Sequence, residues 1–334
     1  MASKKSKVIQ ALIIVGVVIT IAVFAFARPR VIKKQAVTNT IGIMQIVEHP
    51  ALDASRIGFI ERLAELGFEE GKNTEYKIQN AQGEMAVAQS IAQKFVSENV
   101  DMILAIATPT AQAAAKATQD IPIVITAVTD PVAAGLVDSI ARPGTNVTGT
   151  SDLTPVAKQL ELLKRIDPEV DRVGVIYNAG ETNSLVQVDL ARETAERLRL
   201  ELVEVTVSSS GGVYEAAQSL VGRVDAVYVP TDNTVVSALE SVIKVGEDFK
   251  IPIIVGEVDG VRRGALATIG IDYHTLGMQT ADMAARILKG EKEPKDIPIE
   301  YLGEIQIALN LVAADEIGIV ISQDLVDDAF EVIR

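Results

Sequence analysis

The 334-residue chain contains no Cys, no Trp and only two His, and aromatic residues make up 4% of it. Without Cys there are no disulfides, no thiolate metal sites and no cysteine nucleophile. Any Ser-His-Asp triad would have to use His49 or His274. No G-x-G-x-x-G follows an apolar run, and neither G-x-x-x-x-G-K-[ST] nor G-x-S-x-G occurs, so the common nucleotide-binding and hydrolase signatures are missing. A paired-carboxylate hydrolase finds no support either, since no Trp is available to stack on a sugar. Basic residues are scarce beyond the first 34 positions. Seven of the 31 Lys+Arg lie in residues 1–34, which hold no acid, leaving 24 basic against 45 acidic residues downstream. A body of that sign repels phosphate backbones, so no nucleic-acid partner is expected.

What is present begins with residues 8–27, VIQALIIVGVVITIAVFAFA, an uncharged run about long enough to cross a bilayer core. Lys4, Lys5 and Lys7 precede it, and Ala25-Phe26-Ala27 has the small-x-small form of a signal-peptidase site. Residues 1–34 are therefore expected to be an export signal or an N-terminal membrane anchor, formed as an apolar helix. The acidic body would then work outside the cytoplasm.

From residue 38 onward, β-branched runs alternate with amphipathic stretches. Continuous apolar runs include Met102–Ala107, Ile123–Val128, Arg172–Tyr177 and Ala226–Val229. Phe59, Ile60, Leu63 and Leu66 recur at helical spacing, as do Leu185, Val188, Ala191, Ala195 and Leu198. This alternation predicts an α/β fold with parallel sheets covered on both faces. The pattern also occurs twice. Ile41-Gly42-Ile43 is matched by Val173-Gly174-Val175, Val100-Asp101-Met102-Ile103 by Val224-Asp225-Ala226-Val227, and Ile121-Pro122-Ile123-Val124 by Ile251-Pro252-Ile253-Ile254. Two similar doubly wound lobes follow, with a central cleft where their post-strand loops face each other.

Those loops supply the candidate binding residues. His49, Thr108, Thr129 and Asp130 come from the first half. Asn178, Glu181, Asn183, Ser184, Thr231, Asp232, Asn233, Glu257 and Asp272 come from the second. Acids, hydroxyls and amides dominate, with no Lys or Arg among them. That set suits a ligand bearing an ammonium group, because a buried carboxylate needs a counter-charge. Thr108 and Ser184 precede helices whose free N–H groups could hold a carboxylate. A zwitterion such as an amino acid satisfies both, with Asp232 or Glu181 receiving the ammonium. The plainer alternative is that Asp130, Ser184 and Asp272 merely cap helices and turns. No metal and no cofactor are expected.

Several longer segments carry a resemblance: His49-Pro50-Ala51-Leu52-Asp53, Thr126-Ala127-Val128-Thr129-Asp130-Pro131, Pro143-Gly144-Thr145-Asn146-Val147-Thr148-Gly149, Tyr177-Asn178-Ala179-Gly180-Glu181-Thr182-Asn183-Ser184 and Pro230-Thr231-Asp232-Asn233-Thr234. On these, residues 38–334 resemble the substrate-binding proteins of ABC transporters, of the tryptophan/tyrosine-binding type. The resemblance implies a type I periplasmic-binding-protein fold with three hinge crossings, near Ser151–Asp152, after Asp272 and near Pro298–Tyr301. One lobe would comprise 38–151 plus 273–298, and the other 152–272 plus 299–334. It further implies closure of the lobes on a small ligand, delivery to a membrane permease driven by an ATPase, and an aromatic amino acid as first choice of ligand. Tyr177 and Tyr273 are the aromatics beside the candidate loops, and each could either stack on a ring or pack in the hinge; an aliphatic amino acid or other small amine is the next choice of ligand. The alternative role is a ligand-sensing partner of a membrane receptor or kinase.

Overall fold

The computed structural model describes residues 39–303 and 305–334. The expected apolar segment at 8–27 lies outside these residues. Among the described residues, no helix is long and apolar enough to cross a membrane.

Two sheets organise the chain. The first has the order β11-β5-β4-β3-β1-β2, built from β1 (Asn39–Gln45), β2 (Thr74–Asn80), β3 (Met102–Ile106), β4 (Ile123–Thr126), β5 (Val147–Ser151) and the short β11 (Glu300–Tyr301). The second runs β13-β12-β10-β9-β8-β6-β7. It comprises β6 (Arg172–Tyr177), β7 (Glu201–Thr206), β8 (Ala226–Val229), β9 (Ile253–Val255), β10 (Ala267–Gly270), β12 (Gln306–Asn310) and β13 (Glu331–Ile333). The five central strands follow one order in both sheets, 5-4-3-1-2 and 10-9-8-6-7, which is the duplication read in the sequence. β3, β4, β5 and β8 are buried at every residue, as expected for strands covered on both faces, while edge strand β7 is partly exposed throughout. The paired glycines of the repeat have matching roles. A Cβ on Gly42 would stand 2.5 Å from the Phe95 ring, and one on Gly174 would stand 2.6 Å from Leu220, so each bare strand position admits a helix side chain.

Two expectations change. The second sheet is not wholly parallel, because β12 runs antiparallel to β10, with Ala267 opposite Leu309. The third crossing also lies later than 298. Glu300 and Tyr301 pair with Thr150 and Ser151 of the first sheet, so the chain changes sheet between Tyr301 and Gln306. This two-residue strand carries too few residues for a periodic signal, which is why the apolar pattern did not place it.

The helices that matter for the cleft start at the carboxyl ends of strands: α1 (Pro50–Glu65), α3 (Thr108–Ala117), α5 (Thr182–Leu198), α7 (Asn233–Val236), α9 (Val258–Arg262) and α10 (Tyr273–Leu288). Between them in chain order lie α2 (Met85–Ser97), α4 (Val156–Ile166), α6 (Val213–Ser219) and α8 (Leu239–Phe249). α10 follows the second crossing and packs along α1, inside the first core. In sheets of this order the reversal falls between β1 and β3, and between β6 and β8, where ligands are expected to sit. His49, Thr108, Asn178 and Asp232 all lie just beyond those strand ends.

Candidate functional site

An inner pocket lies where the two sets of loops meet. His49, Leu52, Ala127 and Thr129 line it from the first lobe, and Asn183, Thr231, Asp232, Asn233, Val236 and Glu257 from the second. Asp152 and Tyr273, from the first two of the three hinge crossings, complete the lining. No Lys or Arg takes part. The lobes stand close enough to leave a cavity of only about 10 Å³, room for the centre of a single water-sized sphere. Asn233 also borders an outer chamber of about 340 Å³ between the lobes. There Val47, Met85 and Pro109 face Ser208, Ser209 and Ser210. A larger concavity of about 800 Å³ lies at the opposite, amino-terminal ends of β4 and β5, around Pro122 and Asn146, and holds no buried unpartnered side-chain atom.

The buried acids differ sharply in how their oxygens are used. Asp232 caps α7: one oxygen accepts from the Val235 N–H at 2.7 Å, and the other accepts from the Asn178 N–H and the Ser184 hydroxyl, both at 2.6 Å. Glu181 accepts from the Asn233 N–H at 3.1 Å and its side-chain amide at 2.6 Å. It also takes the Asn183 amide at 3.1 Å, the Thr234 N–H at 3.1 Å and the Thr234 hydroxyl at 2.8 Å. These two carboxylates, the expected ammonium partners, already hold the loops of β6 and β8 together. Burial and the neighbouring Glu181 push the Asp232 carboxyl well above the usual carboxylate range. Replacing Asp232 with Ala would orphan two backbone N–H groups. We expect a stability loss of about 2–4 kcal/mol, read as a lowered denaturation midpoint.

Glu257 is different. One carboxylate oxygen accepts from the Gly260 N–H at 2.9 Å, capping α9, while Oε1 is buried without a partner. Burial, followed by nearby Asp259, pushes its carboxyl up to about 7. His49 opens α1, and its Nδ1 is likewise buried and unpartnered. Burial and the nearby Arg263 charge push the imidazole down to about 4, so it is neutral at pH 7. Asn183 contributes a third unpartnered atom, Oδ1, to the same pocket.

The remaining expected residues divide clearly. Thr129 lines the pocket and donates to Asp152 at 3.1 Å, and Thr231 binds Gln187 through its hydroxyl. Asp130 caps a turn, accepting from Val132 and Ala133 N–H groups at 2.9 and 3.0 Å, and Asp272 caps α10 through Thr275 at 2.7 Å. Ser184 serves Asp232. Asn178 donates to Thr234 at 2.9 Å and faces the outer chamber. None of these last four lines the inner pocket. Thr108 opens α3, buried, with its hydroxyl unpartnered. The preceding Ala107 adopts φ 81°, ψ 156°, a conformation that side-chain-bearing residues rarely take, and thereby aims the start of α3.

Asp152 was not among the expected site residues. Its carboxylate accepts from the Tyr273 hydroxyl at 2.6 Å, so one buried acid joins the first two crossings. Its position directly after β5 was the available signal. Of the two candidate aromatics, Tyr273 lines the pocket. The Tyr177 side chain points away, its hydroxyl donating to Glu204 at 2.7 Å.

A family model described as ABC transporter substrate binding protein matches residues 40–333. A tyrosine-binding protein of Clostridioides difficile (strain R20291) is 50% identical over 278 residues, covering 83% of this chain and 79% of that protein. Among solved structures, a domain from Streptococcus pneumonia in complex with L-Trp is 34% identical, with TM-score 0.86, over 89% of this chain and 100% of that one. The ligand-free, open structure of a substrate-binding protein with adhesive properties from Clostridium difficile is 46% identical, with TM-score 0.67, over 89% of this chain and 99% of that one.

Proposed function

Because the chain belongs to the family of ABC transporter substrate-binding proteins, a family of binding proteins rather than enzymes, we propose that it closes its two lobes on an aromatic amino acid. The observation that carries this reading is the unpartnered oxygen of Glu257 in a pocket with no lining cation, opposite the neutral His49. An ammonium group supplies the missing counter-charge and donates to that oxygen. The start of α3, where Thr108 is buried with an unpartnered hydroxyl beneath the pocket linings and Pro109 borders the outer chamber, is the anion site this reading assigns to the carboxylate.

The inner pocket is too small for an amino acid unless the lobes part, so entry requires hinge opening at the crossings. Similarity supports the same motion. The 46%-identical open structure superposes less well than the 34%-identical Trp complex, opposite to the order of sequence identity. In this reading the inversion reflects a difference in lobe angle, with this chain nearer the liganded relative. Tyr273 supplies an aromatic face in the pocket, and the outer chamber offers a ring both an apolar and a hydroxyl-bearing wall.

In this reading the protein acts outside the cytoplasm, tethered or exported through residues 8–27, and hands its ligand to a permease whose ATPase drives uptake. Titration calorimetry of the purified chain with L-tyrosine and L-tryptophan tests the ligand class. Saturable binding of either, with no heat from glucose, is the expected result. Binding of glucose alone would overturn the amino-acid reading.

A further inference from the structure

We propose that Thr110 is a positioning residue for ligand binding: its hydroxyl pins the strained backbone at Ala107 and so fixes the start of α3 where the ligand's carboxylate docks. The inference rests on the reading of that helix start as the carboxylate's site.

Ala107 is the joint between β3 and α3, buried, with φ 81° and ψ 156°. A side chain makes that region of backbone space costly, so surrounding contacts must hold the residue there. Its N–H donates to the Thr126 carbonyl at 3.0 Å, and its own carbonyl accepts from the Ala111 N–H at 3.1 Å. The buried Thr110 hydroxyl lies 2.6 Å from the Ile106 carbonyl oxygen and 2.9 Å from that of Ala107, and shares its one proton between them. That hydroxyl thus ties the last residue of β3 and the joint to the first turn of the helix. The neighbouring strand end bends alike: Ala127, next to Thr126, has φ 55° and lines the inner pocket.

The donors that this joint aims are few. Pro109 has no N–H, and the Ala111 N–H is taken by Ala107. Among the described residues, that leaves the N–H groups of Thr108 and Thr110 without a backbone acceptor in the first turn. With the unpartnered Thr108 hydroxyl they are what the start of α3 offers an anion. Both N–H groups turn with the backbone at Ala107, so their aim is only as fixed as that residue's conformation. Removing the Thr110 hydroxyl removes a bond that opposes its relaxation. All of these contacts lie inside the first lobe, so the arrangement is the same whether the cleft is open or closed.

Comparing L-tyrosine with tyramine, which lacks the carboxylate, separates this role from a general structural one. Tyrosine is titrated by calorimetry, and tyramine is read by its displacement of labelled tyrosine. Thr110→Val keeps the side chain's shape but removes the donor. It should weaken tyrosine about tenfold, the scale of one misdirected hydrogen bond to a charged group, and tyramine less than about twofold. Thr110→Ser restores the donor and should recover the tyrosine affinity. Gly takes φ 81° without strain, so Ala107→Gly added to Thr110→Val should recover most of the loss as well. Unchanged tyrosine affinity in Thr110→Val, or an equal loss for tyramine, overturns the proposal and leaves the amino-acid reading intact. Should Thr110→Val fail to fold, or tyramine fail to displace tyrosine from the wild type, the rescues decide. Recovery by Thr110→Ser and by the double variant then upholds the proposal, and a double variant that does not bind tyrosine overturns it. Wild-type protein that binds tyrosine and tyramine equally overturns the carboxylate site, and wild-type protein that binds neither tyrosine nor tryptophan overturns the amino-acid reading; the proposal falls with either.

Discussion

Replacing Glu257 with Gln should weaken amino-acid binding at pH 8 by about 30-fold or more while leaving the fold intact. The amide oxygen of Gln can still accept from the Gly260 N–H, now 2.9 Å from the carboxylate, so the cap of α9 survives. The negative charge does not. Removing one member of a desolvated charge pair typically costs about 2–5 kcal/mol, and about 2 kcal/mol already corresponds to that 30-fold factor. Equilibrium dialysis with labelled tyrosine at pH 8 reads the affinity, and thermal unfolding reads the fold. An unchanged dissociation constant would remove Glu257 from the ammonium site. The contrast with Asp232→Ala is the informative comparison, because there the main loss falls on stability.

The second large effect belongs to the crossing of α1 and α10. Gly277→Ala would place a methyl group 2.0 Å from the Ser55 carbonyl oxygen, and Gly58→Ala would place one 2.1 Å from the His274 carbonyl oxygen. Both obstacles are backbone, so no rotamer change relieves them and the helices must separate. Overpacking of this kind costs about 1–3 kcal/mol, and rigid opposing backbones place these positions near about 3 kcal/mol. Urea denaturation should show a clearly lowered midpoint for each variant. Gly212→Ala serves as the control, since nothing lies within 4 Å of its added carbon. The effect also reaches the site. Tyr273 begins α10 and holds Asp152 at 2.6 Å, so a helix pushed outward carries a pocket wall with it. Loss of tyrosine affinity alongside the stability loss is therefore expected for Gly277→Ala. Intact stability would mean that the two helices pack less tightly than the structure has them.

The parts of this molecule legible from sequence are those written in local repetition. Apolar runs and helical spacing gave the α/β class, and the matched landmarks gave two equivalent sheets. Ile41-Gly42-Ile43 and Val173-Gly174-Val175 reappear as central strands whose glycines admit Phe95 and Leu220. The post-strand loops were also identifiable, because a parallel sheet presents its loops at one end. Seven of the thirteen expected residues line the inner pocket: His49, Thr129, Asn183, Thr231, Asp232, Asn233 and Glu257. The short β11, the antiparallel β12 and the site role of Asp152 were not legible. The first two lack a distinctive period, and Asp152 acts through residues distant in the chain.

What sequence by itself determined, then, is an acidic, cysteine-free, two-lobed body carrying the motifs of a solute-binding family, with a cleft rich in acids and lacking cations. Only tertiary structure decided which acid is free. Glu181, Asp232 and Glu257 are chemically alike and all follow strands, so local pattern cannot rank them. Their fates depend on donors brought from afar. Glu181 is taken by Asn233 and Thr234, more than 50 residues away, and Asp232 by the Asn178 N–H, 54 residues away. Glu257 is met by local backbone alone, the Gly260 N–H three residues on and that of Asp259, and its Oε1 is left without a partner. A buried carboxylate is costly until its lone pairs are met, and the residues that meet them are chosen by the fold.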